Sequence, residues 1–152
     1  MNLLLTVLLT LFIGNATVSP DKAEDQVQNR VEIVIEGNDQ MRFNLSEINV
    51  KAGDTVVLTL KHTGKLPKAA MGHNWVLLAE GTNVQEFATT AIRARDNEYI
   101  PAEGDDVLAH TALIGGGEET TIEFTAPAAG EYDFICSFPG HYSLMKGKLI
   151  VE

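Results

Sequence analysis

Cys136-Ser137-Phe138-Pro139-Gly140-His141-Tyr142-Ser143-Leu144-Met145 places a thiol, an imidazole and a thioether in one short loop. Just ahead of it, Tyr132, Phe134 and Cys136 alternate with Glu131, Asp133 and Ile135. Successive side chains of a strand point to opposite faces, so the first three share a face, and its two aromatics mark it as buried. The segment reads as a strand that ends with its sulfur turned inward. Pro139-Gly140 is a turn dipeptide that swings the chain back, bringing His141 and Met145 round toward that sulfur.

The two-residue period recurs upstream, in Val31-Glu-Ile-Val-Ile-Glu36, in Thr55-Val-Val-Leu-Thr-Leu60 and in Thr121-Ile-Glu-Phe-Thr125. Each is a strand with one buried face. Gly37-Asn38-Asp39, Ala52-Gly53-Asp54, Gly115-Gly116-Gly117 and Ala129-Gly130 punctuate them as turns. Short strands between turns over about 120 residues point to an all-β, antiparallel sandwich. One segment departs from the pattern. Asn83-Val-Gln-Glu86 resembles a capping box, and Val84, Phe87, Ala88 and Ala91 fall at helical spacing, so residues 83–93 are expected to form one short helical insertion.

Thiolate and thioether are soft ligands and imidazole is borderline; two imidazoles and a thiolate in a trigonal set, with a distant thioether, suit copper. A second histidine is therefore needed, and the chain has 4, at positions 62, 73, 110 and 141. In Met71-Gly72-His73-Asn74-Trp75-Val76-Leu77, His73 shares a strand face with Trp75 and Leu77, and this parity favours His73. Cys136 is the one cysteine, so no intrachain disulfide can form.

The chain has 152 residues, 45% hydrophobic and 21% charged, which fits one globular domain. Its formal charge of -10 argues against nucleic acid or an anionic membrane as partner, since phosphate recognition needs clustered Lys and Arg. A cationic or apolar partner suits that charge better. Residues 1–19 open with the apolar run Met1-Asn-Leu-Leu-Leu-Thr-Val-Leu-Leu-Thr-Leu-Phe-Ile13 and pass into small residues. They read as an export signal, although no Lys or Arg precedes the run. The run is shorter than the roughly 17 to 25 residues of a spanning helix, so a retained membrane anchor is not expected. Residues 20–30 are polar and aperiodic, a tether to a domain over 31–152, and the protein is expected in the periplasm or otherwise exported.

Met71-Gly-His-Asn-Trp-Val-Leu77 and the Cys136-x4-His-x3-Met145 loop with its internal Phe-Pro-Gly resemble the cupredoxins, type 1 blue copper proteins, and within them the azurins. The similarity extends to Gly37-Asn-Asp-Gln-Met41, Leu66-Pro67-Lys68 and Ala109-His-Thr-Ala-Leu-Ile-Gly115. It implies a Greek-key β-sandwich with one copper at one end and the helix as an outer flap. His73, Cys136 and His141 match the equatorial ligands and Met145 the axial one. Gly72 matches the position whose carbonyl faces the metal from the opposite side. Asn74 and Phe138 match positions whose backbone N–H groups point at the ligand sulfur. Met41, Leu66, Met71, Phe138 and Pro139 match an apolar patch around His141 where redox partners dock. His62 matches a partly buried histidine near the site, where either protonation coupled weakly to redox state or a purely structural role is implied; His110 is expected to be exposed.

Two features depart from the azurin pattern. Val31 and Asp54 stand where a disulfide is usual, a loss of about 2 to 4 kcal/mol unless packing compensates. Tyr142 stands where a smaller residue usually follows the ligand histidine. The implied function is a monomeric electron carrier cycling Cu(II)/Cu(I), with a periplasmic copper buffer or chaperone as the alternative. A multicopper enzyme would need more histidines than remain, and a cysteine hydrolase on Cys136 and His141 lacks an orienting third residue.

Overall fold

The computed structural model describes residues 29–152 except 103. The expected export signal and most of the expected tether lie outside the described residues.

The alternating segments form strands in two sheets. One sheet holds three strands in the order β1 (Arg30–Gly37), β3 (Thr55–His62), β6 (Glu119–Thr125). The other holds five, in the order β2 (Glu47–Val50), β8 (Lys146–Val151), β7 (Gly130–Ile135), β4 (Val76–Leu78), β5 (Val107–His110). Strand alternation turns Ile35, Val56, Leu58 and Leu60 inward from the first sheet, against Trp75, Leu77, Phe134 and Leu149 from the second. All of these are fully buried, and each large apolar side chain so buried stabilises the fold by roughly 1.5–3 kcal/mol. The sandwich is therefore as expected, but its pairing is mixed: β1 runs parallel to β3 and β2 parallel to β8, while the other pairs are antiparallel. β1 and β2 enter different sheets, so neither can pair with the other as a hairpin.

Lys68–Met71 forms a single helical turn, α1, which the sequence pattern did not suggest. The expected insertion is present. Helix α2 (Val84–Ala91) starts at Asn83, whose Oδ1 accepts the N–H groups of Gln85 and Glu86, both at 3.1 Å. Phe87, Ala88 and Ala91 are its buried residues. The α-helix ends at Ala91 rather than 93, and the chain tightens into a 3-10 segment, Ile92–Asn97, before Glu98 and Tyr99 take left-handed conformations. The insertion covers the outer face of the five-stranded sheet. There Phe87, Ala91 and Ile100 pack on Val76, Leu78 and Ile135, forming a second core. β4 and the end of β7 are thus buried on both faces, and this doubly covered strand end leads into Cys136.

Candidate metal centre

Three loops meet at one end of the sandwich. His73 lies just before β4 and is held by a reciprocal backbone bridge to Ile114, with both N–H to O distances at 2.9 Å. Cys136 follows β7, and its N–H donates to the Met145 carbonyl at 2.9 Å. That bond closes the loop. The N–H of Met145 returns to the His141 carbonyl at 2.8 Å, so the ligand loop is tied at both ends. The turn at Pro139-Gly140, with Gly140 at φ 83°, puts His141 back beside the sulfur: Cys136 Sγ and His141 Nδ1 are 3.6 Å apart.

The donor atoms of His73, Cys136 and His141 lie within 4.8 Å of one another, and all three residues are buried. Of the three, only His141 has any exposed surface, at 3% against 0% for the others. His73 Nε2 faces the carbonyl of Asn38 at 2.9 Å, and a carbonyl can only accept, so that nitrogen carries the proton. Nδ1 then turns a lone pair into the site, 3.0 Å from the Gly72 carbonyl oxygen. Two lone pairs facing each other in a buried pocket call for a cation between or beside them.

The thiol supports the same reading. Burial pushes the Cys136 pKa up to about 12, and the backbone N–H groups of Asn74 and Phe138 hold it back only in part. A bare thiolate there is costly, and a soft cation is what would stabilise it. Burial first, and then the charges of His73 and His62, lower His141 to about 4; His73 is lowered chiefly by burial as well. Both imidazoles are therefore held neutral, the form that binds a metal.

Among the other matched positions, Met145 is fully buried. A Cβ placed on Gly37 would stand 2.8 Å from His73 Cδ2 and 3.1 Å from Met145 Cε, so the His73 ring and the Met145 methyl both reach that glycine. The Gly72 oxygen lies 3.9 Å from the Cys136 sulfur. A Cβ at Gly72 would stand 2.7 Å from the Lys68 carbonyl oxygen, which leaves room for hydrogen alone. His62 is buried and stacks on His73 with ring centroids 4.1 Å apart; its Nδ1 accepts from Gly64 N–H at 3.0 Å and its Nε2 donates to the Met71 carbonyl at 2.8 Å. His110 is exposed and lies outside the cluster. Of the expected apolar patch, Leu66 is exposed at 42%, while Met41, Met71, Phe138 and Pro139 are half-buried. The Phe138 ring lies against His141, centroids 4.6 Å apart. Tyr142 packs on the second core.

The sequence pattern did not expose the brace between the ligand loops. The Asn74 side chain is fully buried; its Nδ2 donates to Ser137 Oγ at 2.8 Å and to the Glu98 carbonyl at 3.1 Å, and its Oδ1 accepts the Ser137 N–H at 2.8 Å. One amide thus joins the His73 loop, the Cys136 loop and the end of the helical insertion. The one available signal was that a polar side chain sits between two core positions.

Comparisons with known proteins agree with this geometry. Residues 29–152 match the family model for copper binding proteins, plastocyanin/azurin family. The chain is 46% identical over 123 residues to azurin of Alcaligenes faecalis, covering 78% of this chain and 95% of that one. It is 48% identical over 120 residues to azurin of Bordetella pertussis, covering 76% and 79%. Among solved structures, auracyanin A, a "blue" copper protein from Chloroflexus aurantiacus, superposes with a TM-score of 0.75 at 35% identity, covering 82% of this chain and 100% of that one.

Proposed function

The chain belongs to the plastocyanin/azurin family of copper-binding proteins, and on that premise we propose that it is an exported, monomeric carrier of single electrons rather than an enzyme. The observation that carries this reading is the set of three buried donors within 4.8 Å, backed by a neutral-imidazole tautomer and a buried thiol. A copper ion bound there would supply the one-electron Cu(II)/Cu(I) couple. The chain's part is to keep the donors still. His73 is pinned through Nε2 to Asn38 and through its backbone to Ile114, and the Cys136 loop is tied to Met145. A trigonal nitrogen and sulfur set with a distant thioether tolerates both oxidation states, so a stiff frame costs little on either side of the transfer.

In this reading His73, Cys136 and His141 would hold the ion together with Met145, whose buried side chain reaches Gly37 beside the His73 ring, and the Gly72 carbonyl oxygen, 3.0 Å from His73 Nδ1, would also face it. The Asn74 and Phe138 N–H groups bond the sulfur, stabilise the thiolate and tune the potential. Electrons enter and leave through His141, the one ligand with exposed surface, among the apolar residues Met41, Leu66, Met71, Phe138 and Pro139. Export rests on residues 1–19; among the described residues no helix is long and apolar enough to cross a membrane.

The test is to add Cu(II) to the purified metal-free protein and record visible and EPR spectra beside Cys136→Ser. The expected result is an intense blue band that the variant lacks; a colourless complex, or a band that survives in the variant, overturns the site. Repeated chemical oxidation and reduction should retain the metal. A chain that surrendered copper to a competing chelator on each cycle would be a buffer or chaperone. His141→Gly should slow exchange with redox partners sharply, and unchanged exchange would refute the proposed route.

A further inference from the structure

The whole chain carries a charge of -10, yet the surface around the metal centre does not share it. The segments 38–42, 65–75, 93–99, 111–118 and 136–145, which supply the ligand loops and their neighbours, carry five Lys or Arg against four Asp or Glu. Three of those acids are occupied within the chain, Glu118 by the Gly115 N–H at 2.7 Å. Asp39 accepts the N–H groups of Lys65 and Leu66, and Glu98 accepts the Leu113 N–H at 2.9 Å while its other oxygen lies 3.7 Å from Lys68 Nζ. Among the described residues, Arg95, Lys65 and Arg42 have no carboxylate within ion-pair distance.

Arg95 is not scattered on open surface. It lines a groove of about 470 Å³ whose apolar part is Pro67, Ala69, Tyr99, Leu113 and Phe138; Lys68 and Arg95 are its cations, and its one acid, Glu98, is already engaged by Lys68 and the Leu113 N–H, which leaves Arg95 as the free charge. Tyr99 and Phe138 meet edge to face there, centroids 5.2 Å apart. Phe138 also lies against His141, so the groove is continuous with the surface over the ligand histidine. An apolar trough flanked by an unpaired guanidinium matches a carboxylate presented beside an apolar side chain, since Arg binds carboxylates through two parallel N–H donors and stacks on aromatic faces.

We infer that this groove is a docking subsite for an acidic redox-partner protein, with Arg95 as the carboxylate anchor and Lys68 as its neighbour. The inference rests on the electron-carrier reading for the partner's purpose and on the groove alone for its chemistry. It reverses the expectation drawn from net charge. The overall charge repels an acidic partner at a distance, whereas the local cations fix the orientation in which it can approach the metal end.

The test uses the copper-loaded full chain with cytochrome b5, an acidic haem protein, as the probe, and mitochondrial cytochrome c, a basic one, as the contrast. In the kinetic arm reduced cytochrome b5 gives one electron, its haem iron passing from Fe(II) to Fe(III) as Cu(II) becomes Cu(I). In the binding arm the 15N-labelled Cu(I) protein is titrated with oxidised cytochrome b5 and amide shifts are followed. Arg95→Gln should slow the cytochrome b5 reaction three-fold or more beyond Lys51→Gln, which makes the same charge change at the far end of β3, and leave the blue spectrum unchanged. Amides of residues 69 and 95–99 should shift in the wild type and lose that response in Arg95→Gln. The cytochrome c rate should not fall. Equal slowing by Arg95→Gln and Lys51→Gln, or shifts confined elsewhere, would show that only net charge is felt and would overturn the subsite. A blue protein that accepts no electron from either cytochrome would instead sink the carrier reading, while the shift map still reports on the groove.

Discussion

Replacing Asn74 by Leu tests the claim that one buried amide holds the two ligand loops together. Leu is close in size and apolar, so the change removes three hydrogen bonds with little change in packing. The consequences differ by partner. Glu98 is half-buried, and its carbonyl can turn to water at small cost. Ser137 is 1% exposed, so its N–H is left without an acceptor in a dry site, at about 1–3 kcal/mol, and the lost bond to its hydroxyl adds about 1 kcal/mol more. Urea unfolding of the metal-free protein should show a loss of about 3 kcal/mol, with the denaturant slope unchanged. Ser137→Ala is the comparison. It keeps the N–H to Oδ1 bond and forfeits only the hydroxyl, so it should cost about 1 kcal/mol. Because the brace spans both loops, Asn74→Leu should also broaden the thiolate-to-copper band and speed copper loss to a chelator. If the two variants cost the same, or Asn74→Leu costs under about 1 kcal/mol, the orphaned Ser137 N–H is not what destabilises the variant, and the reasoning fails.

The other perturbations act on single features of the same end. In the metal-free chain His141 sits at about 4 rather than 6.5, so between those pH values the unfolded chain binds the proton that the folded one refuses. Folded stability should therefore fall as pH drops from 6.5 to about 4, by about 3 kcal/mol from this group, and then level off; a flat profile in pH-dependent urea melts would contradict the burial of the ring. Gly37→Ala forces a methyl against His73 and Met145, and should cost about 1–3 kcal/mol and alter the copper spectrum, whereas a wild-type spectrum would mean that these two side chains yield freely. Trp75 is fully buried and its Nε1 has no hydrogen-bond partner among the described residues, so its fluorescence should lie at the short-wavelength limit for indole and shift red only on unfolding. Asp54→Ala removes the carboxylate that accepts the Lys51 N–H at 3.0 Å, and thermal denaturation should report a loss of about 1 kcal/mol with the blue band intact.

Alternation made the principal strands readable because a half-buried strand writes its period directly into the sequence. Val56, Leu58 and Leu60 are inward as expected, and the same parity would have placed His62 inward at the strand's end. His73 and Cys136 were found by the same rule. Parallel pairing was not legible, since alternation has the same period in parallel and antiparallel strands and carries no partner direction. Ile135 shows a second limit. Its parity assigns it to the outer face, which is correct, yet it is fully buried because Phe87 and Ala91 of α2 cover that face. Asn74 shows a third, since its partner Ser137 lies 63 residues away and a side-chain amide has no period to read.

The double coverage at Ile135 bears on why the site can be stiff. Phe134 is clamped in the main core by Trp75 and Phe43, and Ile135 is clamped in the second core by the helical insertion. Consecutive residues thus face opposite packed layers, and the strand can neither twist nor slide without opening one of them. Cys136 is the next residue. Its backbone inherits that restraint before any ligand bond forms, and Met145 inherits it through the 2.9 Å bond from the Cys136 N–H to its carbonyl. The azurin-type disulfide is absent from Val31 and Asp54, where Val31 packs on the core and Asp54 caps its own turn. Those positions lie at the start of β1 and just before β3, whereas the site sits where these strands end, at Gly37 and His62. Stability removed there is drawn from the whole fold, while the rigidity of the metal centre comes from the two cores and the Asn74 brace, so the first can fall without loosening the second.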